Sequence, residues 1–262
     1  MKSSVNLQIM KLKLIIVSVL VLLGFFGLLF FYPKSNNIVI WAWERPENLE
    51  FLKNEKNVKV AFYAGQINYY EKDMETRYRY QPLAIDSNTE KIAVVRIENH
   101  YSDNFNLTNE FLEKTVAFVI NKCNYKEITT CQIDFDARSS EREFYKRLLT
   151  KIKKQLPYSK KLSITALVSW CNKDSWLDSL PIDEAVPMFF EMGRDENIIK
   201  GDIVSQSFMK SSLCRKSIGI SVNEYMPKKE YLNRKDIYIF NNKSWTKEDC
   251  NFIVQKINKN MD

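Results

Sequence analysis

Eight short apolar runs recur along the chain, and most of them are separated by a segment with helical spacing or by a polar loop. The runs are Ile38–Trp43, Val58–Ala64, Ile92–Glu98, Thr129–Asp136, Leu162–Trp170, Ala185–Met192, Ser217–Glu224 and Asp236–Phe240. Strands that alternate with helices pair in parallel, because parallel neighbours need a long crossover connection. The pattern therefore predicts an α/β protein with a parallel sheet.

Two features favour a closed barrel over an open sheet. Several runs carry polar residues at every second position, as in the fourth run with Gln132, Asp134 and Asp136, which is typical of a barrel with a hydrogen-bonded lumen. An open doubly wound sheet should have a glycine-rich first turn, whereas the first turn here, residues 43–46, reads WERP. We therefore expect a compact (β/α)8 TIM-like barrel, with the open sheet as the alternative.

An uncharged apolar run of 19 residues, 14–32, precedes the barrel and is about long enough to span a bilayer. Three lysines precede the run and no acid occurs before Glu44, so the amino end, residues 1–13, is expected in the cytoplasm. Residues 33–262 would then form a single domain on the periplasmic side of the inner membrane. The alternative is a cleaved signal peptide.

Charge and composition bound the possible partners. The formal net charge is +7, and removing the four lysines of residues 1–34 leaves +3 on the rest of the chain. Because no basic cluster or arginine-rich helix is present in the sequence, nucleic acid is not an expected partner. A single histidine, His100, and no C-x-x-C motif give no basis for a zinc site, and we predict no metal and no cofactor. Protein partners are not specified by the sequence.

The five cysteines permit disulfides in an oxidising compartment, with one thiol left over. Cys171 follows the end of one predicted strand and Cys214 precedes another, so they are the preferred pair. A bridge between Cys123 and Cys131 is also possible, although it would have to join a helix end to a strand.

The fourth run leads into a helix through a polar corner. Asp134, Asp136 and Arg138 lie at the carboxyl end of the strand, where parallel α/β proteins build their sites. Ser140 and Glu143 have capping-box spacing, so the helix is expected to begin near Glu141. The structural interpretation of the corner is that its charges cap the helix and pair with one another.

The predicted rim at the ends of the strands combines carboxylates, arginines and indoles, which is chemistry suited to a sugar site. Glycosidic cleavage needs one carboxylic acid and a second carboxylate, and the candidates are Asp134 or Asp136 with Glu224. The candidate substrate-binding residues on the same rim are Trp43, Glu44, Arg45, Glu98, Arg138, Trp170 and Asn223. Arg96 with Glu98 is equally compatible with a structural ion pair, and Trp41, Trp176, Met188 and Met192 are expected in the core.

Seven blocks occur in order along residues 41–224: WAWERPENLEFL, QPLAI, AVVRIE, QIDFDARSSEREFYKRLL, LSITALVSWC, LPIDEAVPMFFEMG and CRKSIGISVNE. Together they resemble the bacterial domain of unknown function family 3142, which has no established activity. The resemblance implies a divergent glycosidase-like barrel. Its acids on the fourth and seventh strands are similar in placement to those of the large barrel glycosidase clan, although this chain has Asp134-Phe135-Asp136 where that clan has Asn-Glu. Beyond Glu224 the prediction depends on pattern alone.

Two functional hypotheses from different classes follow. The first is a membrane-anchored hydrolase or lyase acting on an envelope or exported polysaccharide through a carboxylate pair. The second is a non-catalytic barrel that binds a glycan or a partner during envelope assembly. A peptidase is disfavoured, because the sequence has neither G-x-S-x-G nor a metal motif.

The anchor hypothesis predicts that residues 14–32 stay attached to the barrel. The apolar run ends Leu29-Phe30-Phe31-Tyr32-Pro33, without the small residues that a signal peptidase requires. Intact-mass measurement of the membrane-extracted protein checks this, and a mature chain that begins between Phe31 and Ile40 would contradict it.

Overall fold

The structure is a computed structural model that describes residues 37–71, 73–100, 108–173, 176–192, 209–224, 227, 229–232 and 236–261. The predicted transmembrane run, residues 14–32, lies outside these ranges. Within the described ranges, no helix combines the length and the apolar character needed to cross a membrane.

Eight parallel strands close into a barrel. They are β1 (Ile38–Ala42), β2 (Val58–Tyr70), β3 (Glu90–Asn99), β4 (Ile128–Asp134), β5 (Lys161–Leu167), β6 (Glu184–Met188), β7 (Ser217–Ser221) and β8 (Asp236–Phe240). Each strand pairs with the next in the chain, and β1 pairs with both β2 and β8, which closes the sheet. The predicted TIM-like barrel is confirmed.

Helices cover the outside of the sheet. They are α1 (Asn109–Cys123), α2 (Arg142–Gln155), α3 (Val168–Lys173), α4 (Lys229–Leu232) and α5 (Lys247–Met261). Thr108 caps α1, since its side chain accepts a hydrogen bond from the backbone N–H of Phe111 at 3.2 Å. The apolar face of α2 (Phe144, Tyr145, Leu148, Leu149 and Ile152) has helical spacing and is buried in the core between helices and sheet.

Two local predictions need correction. The polar link 66–82 indicates, from its sequence, a long loop or a small excursion, whereas β2 continues to Tyr70 and pairs with an antiparallel strand, Asp73–Tyr78. At the corner before α2, the side chain that accepts a hydrogen bond from the backbone is Glu141, which bonds the N–H of Arg138 at 2.6 Å. A 3₁₀ turn, Ser139–Glu141, intervenes before the helix begins.

Gly65 permits the extension of β2. A Cβ atom at this position would lie 2.7 Å from the carbonyl oxygen of Arg77 and 2.8 Å from the ring of Phe118. Since real Cβ atoms do not come this close to backbone oxygen, only glycine lets the antiparallel strand and α1 approach β2 here.

The inner faces of the strands divide into an apolar and a polar half. Val39, Trp41, Ala61, Ile92, Val94, Val186, Phe190 and Tyr238 form the apolar core of the barrel. In the polar half, Gln132 donates to Ser163 at 3.1 Å, and Ser163 and Tyr238 both donate to Glu184, at 3.2 and 3.0 Å. Burial raises the pKa of the Glu184 carboxyl, and the hydroxyls of Tyr238, Ser217 and Ser163 oppose the rise.

Two disulfides lie outside the barrel. Cys171 and Cys214, the pair preferred from the sequence, are joined across 43 residues, and Cys123 and Cys131 are joined across 8 residues. All four half-cystines are buried, whereas Cys250 is a buried free thiol.

The two bridges should contribute unequally to stability. In the loop-entropy model, closing 43 residues contributes about 4 kcal/mol and closing 8 residues about 2.5 kcal/mol. The double variant Cys171→Ala/Cys214→Ala should therefore lose more unfolding free energy in urea than Cys123→Ala/Cys131→Ala. The second variant is a matched control, because its sulfurs are equally buried, and an equal or reversed loss would contradict the account.

Candidate functional site

A cavity of about 280 Å³ opens at the carboxyl ends of the barrel strands. Its lining comes from six of the eight strand ends: Trp41, Trp43, Arg96, Asp134, Asp136, Leu167, Val168, Ser169, Met188, Phe190, Glu191, Met192 and Phe240. This is the end of a parallel barrel at which sites are built.

One wall of the cavity is aromatic. Phe190 stacks on Phe240 with ring centroids 5.3 Å apart, and Trp43 packs edge-on against Phe240 at 6.5 Å. Trp41 lines the same wall and is 3% exposed, yet its indole N–H has no hydrogen-bond partner among the described residues. Buried donors are normally paired, so this N–H is the unsatisfied polar group of an otherwise apolar wall.

Arg79 fixes the loop that carries Trp43. Its guanidinium donates to the carbonyl oxygen of Trp43 at 2.7 Å, and also to the carbonyls of Gln81 and Arg45. These bonds hold the first βα turn without any glycine, and they place the Trp43 ring at the cavity mouth.

Arg96 on β3 connects the aromatic wall to the acidic groups. Its guanidinium donates to Glu98 at 2.6 Å, lies 3.8 Å from the carboxylate of Asp134 and stacks over the ring of Trp43 at 5.2 Å. The ion pair between Arg96 and Glu98 therefore exists, and it also belongs to the cavity.

Asp134, the last residue of β4, points into the lumen. It accepts a hydrogen bond from the Thr165 hydroxyl at 2.7 Å on the neighbouring strand. Burial raises the pKa of its carboxyl, and this effect outweighs the opposing influence of Arg96 and Thr165.

Asp136 follows two residues later on the same face, at the cavity mouth. Desolvation by the surrounding protein raises the pKa of its carboxyl to about 6, the charges of Asp134 and Glu191 add to the rise, and Arg96 opposes it. The side chain remains accessible to solvent. An accessible carboxyl with a pKa of about 6 can donate a proton near neutral pH.

A second depression of about 230 Å³ adjoins the cavity and shares Arg96, Asp134 and Asp136 with it. The rest of its lining is mostly polar: Ile97, Glu98, Asn99, His100, Phe135, Arg138 and Glu141. The carboxylates of β4 therefore lie between an aromatic cavity and a polar one.

Glu224, the predicted partner of the β4 acids, lies beyond the end of β7 but is not part of the cavity lining. Its carboxylate accepts a hydrogen bond from the backbone N–H of Glu191 at 3.1 Å. Glu191 is the carboxylate that lines the cavity beside Asp136. The catalytic role of Glu224 stays a prediction.

The other predicted substrate-binding residues are distributed unevenly. Trp43 lines the cavity, and Glu98 and Arg138 line the adjoining depression. Three residues lie near the rim outside both linings: Glu44, Arg45, whose side chain donates to the carbonyl of Asn241 at 3.5 Å, and Asn223, which bonds Asn242 at 3.4 Å.

Trp170 requires a correction. It was predicted as a sugar platform, but α3 turns its ring into the core between sheet and helices, where it is 5% exposed and packs against Trp176 with centroids 5.2 Å apart. The reason is that β5 ends at Leu167 and the chain then enters α3. Side chains therefore no longer alternate between two faces, as in a strand, but follow the helical repeat of about 3.6 residues.

Sequence reasoning left ten of the thirteen cavity residues out of the candidate site, among them Trp41, Arg96, Phe190, Glu191 and Phe240. The available signal was strand alternation, because Arg96 has the same parity as Ile92 and Val94, and Phe240 the same parity as Tyr238. Residues with inward parity at the carboxyl end of a strand belong to the rim.

Comparisons with known proteins agree with the sequence resemblance. Residues 87–187 match the family described as "Domain of unknown function (DUF3142)". This confirms the predicted resemblance over a range that includes β3, β4 and β5 and therefore Arg96, Asp134 and Asp136. Curated proteins give no match.

Among solved structures, the chain is similar to the Bacillus cereus spore cortex-lytic enzyme SleL, at 14% sequence identity and a TM-score of 0.44. The alignment covers 74% of this chain and 54% of that one, so the protein spans about half the length of that structure.

The raised pKa of Asp136 predicts a dependence of stability on pH. Since the carboxyl of Asp136 titrates at a higher pH when folded than when unfolded, the unfolded state binds fewer protons between about pH 4 and 6. Stability is therefore lost as the pH rises through this window. Asp136→Asn should match wild type near pH 4 and melt at a higher temperature than wild type at pH 7.

Thermal unfolding of both proteins across this window checks the prediction. Glu55→Gln serves as a control, since it removes an exposed carboxylate in the loop before β2, at the opposite end of the barrel. If Asp136→Asn lowers the melting temperature at pH 7, the carboxylate is a stabilising part of the rim instead.

Proposed function

We propose that the barrel binds a polysaccharide of the cell envelope, or an exported one, and hydrolyses a glycosidic bond in it, with Asp136 as the proton donor. The observation that carries the proposal is the placement of this carboxyl, whose pKa is raised to about 6, between an aromatic cavity and a polar depression.

The aromatic wall suits the apolar faces of sugar rings. Trp43 and Phe240 present flat surfaces at the cavity mouth, and Trp41 contributes a buried N–H that has no partner within the described part of the chain. Ring faces combined with a few fixed polar groups are the composition expected of a binding pocket for a ligand that is apolar on its faces and polar at its edges.

The two linked depressions favour a chain over a single sugar. Because Asp134 and Asp136 belong to both linings, a ligand that fills both sides would place an internal linkage at the carboxylates. A proton from Asp136 to the bridging oxygen would then assist departure of one sugar.

The second candidate is a barrel that binds glycan without cleaving it. The observation in its favour is that Asp134 is engaged by Thr165 and Arg96, and that the predicted second carboxylate, Glu224, bonds a backbone N–H. A site of this kind would use the same cavity for affinity alone.

The proposal places the barrel outside the inner membrane, attached by residues 14–32. The support is the length of the apolar run and the lysines before it, together with the two disulfides, since disulfides persist in oxidising compartments.

One variant should lower turnover without changing affinity, and a second should weaken binding. With a panel of envelope polysaccharides, Asp136→Asn should lower the rate of reducing-end release by about 10²–10⁴-fold and leave affinity nearly unchanged, because a general acid acts in the chemical step. Trp43→Ala should weaken binding, as measured by calorimetry. Tyr158→Ala is a matched aromatic control, since Tyr158 is fully exposed in the loop before β5 at the opposite end of the barrel.

The outcomes distinguish the candidates. Binding that Trp43→Ala weakens, without turnover by the wild-type protein, supports the non-catalytic barrel. Binding and turnover that neither variant changes, with melting temperatures intact, would contradict both.

A further inference from the structure

Glu191 adopts an unusual backbone conformation beside the proposed proton donor. It follows β6 by three residues, and its φ of 51° makes it the one non-glycine residue with positive φ in the described ranges. A side chain with a Cβ rarely occupies this region unless surrounding contacts hold it there, and such residues cluster at functional sites.

Contacts from β7 and the loop after it hold this segment. The carboxylate of Glu224 accepts a hydrogen bond from the N–H of Glu191 at 3.1 Å, and the N–H of Phe189 donates to the carbonyl of Gly219 at 2.8 Å. Between them lies Phe190, whose ring stacks on Phe240 in the cavity wall. The turn is therefore fixed by two hydrogen bonds and one ring contact.

The consequence of this turn is that the Glu191 side chain lines the cavity that contains Asp136. Its negative charge also contributes to the raised pKa of the Asp136 carboxyl, so the two groups are close enough to interact. Glu224, by contrast, uses its carboxylate on the backbone of Glu191 and lies outside the cavity lining.

We propose that Glu191 is the second catalytic carboxylate, paired with Asp136, and that Glu224 is a positioning residue that holds Glu191 in its turn. This inference rests on the proposed glycosidase function and assigns the role predicted for Glu224 to Glu191, in the turn after β6.

The pair completes a balanced hydrolysis. The Asp136 carboxylic acid gives its proton to the bridging oxygen, the bond from that oxygen to the anomeric carbon breaks, and the electron pair leaves with the oxygen. Water adds to the anomeric carbon and gives its proton to the Glu191 carboxylate. Proton exchange with solvent then returns both groups to their starting states, so that water is the only co-reactant.

Several charged groups act on Asp136 in addition to Glu191. Asp134 lies on the same strand, Arg96 comes from β3, and Glu98 pairs with Arg96. Tyr145 on α2 is buried near both aspartates, and burial raises the pKa of its hydroxyl, with the charges of Asp134 and Asp136 adding to the rise. Substitutions of Glu191 or Glu224 leave each of these groups in place.

The test compares three variants of the full-length protein. Glu191→Gln removes the charge and should reduce glycan turnover by about 10²–10⁴-fold. Glu224→Gln keeps a carbonyl oxygen that can accept the Glu191 N–H, so its turnover should stay within about threefold of wild type. Glu224→Ala removes the acceptor and should reduce turnover by about 10–100-fold, since a misplaced reacting group is costly.

Titration of the Asp136 carboxyl by carbon-detected NMR gives a readout that does not depend on turnover. Glu191→Gln should lower the pKa of Asp136 because it removes a nearby negative charge, whereas Glu224→Gln should leave it unchanged. Melting temperatures of all three variants identify any loss due to unfolding.

The results separate this inference from the function on which it rests. The assignment of Glu191 is overturned if Glu224→Gln loses as much activity as Glu191→Gln. It is also overturned if the pKa of Asp136 in Glu191→Gln equals that in the wild-type protein. In both cases the glycosidase proposal stands. If the wild-type protein turns over no glycan, both are overturned, whatever the titrations show.

Discussion

The pairing of β1 with both β2 and β8 is the constraint on which the rest of the structure depends. It closes the sheet, with Ile38 opposite Val58 on one side and Ile237 on the other, and so turns eight strand ends into one ring. Closure also separates two cores, one inside the barrel around Trp41 and one between the sheet and the helices. Side chains from strands distant in sequence, such as Trp43, Asp134 and Phe240, then meet around a single cavity.

The electrostatics of that cavity follow from burying more carboxylates than the adjacent arginine compensates. Arg96 divides its contacts between Glu98 and Asp134, and Asp136 is left without an ion pair of its own among the described residues. Desolvation by the surrounding protein, together with the charge of Asp134, favours the protonated form of its carboxyl and raises the pKa to about 6. The raised pKa of Asp136 lowers the stability of the folded protein at neutral pH, and it also lets the carboxyl act as a proton donor there.

Much of the fold was predictable from sequence, because strand alternation and helical spacing are local patterns. All eight strands were anticipated, including β8, which lies beyond the blocks that carry the family resemblance. The extension of β2 was missed because its pairing depends on Gly65 and on a strand that the polar residues 73–78 form only through long-range contacts. Local propensity does not contain that information.

The sequence predicted where the candidate site lies, but only some of the residues that line it. The β4 acids and Trp43 followed from being at the ends of strands. Trp170 did not, since whether a ring faces the rim or the core depends on where β5 gives way to α3. Glu191 and Glu224 were both visible as acids near the rim, but the hydrogen bond that distinguishes their roles is a tertiary contact between two loops.

The central claim, that this end of the barrel holds a glycan with a linkage at Asp136, is tested most directly by a crystal structure with a bound oligosaccharide. Asp136→Asn keeps the site intact while slowing cleavage, so it is the form to crystallise. The account predicts a sugar ring against Trp43 and a bridging oxygen within about 3 Å of the side chain at position 136. An oligosaccharide bound elsewhere on the barrel, with this cavity filled only by water, would contradict it.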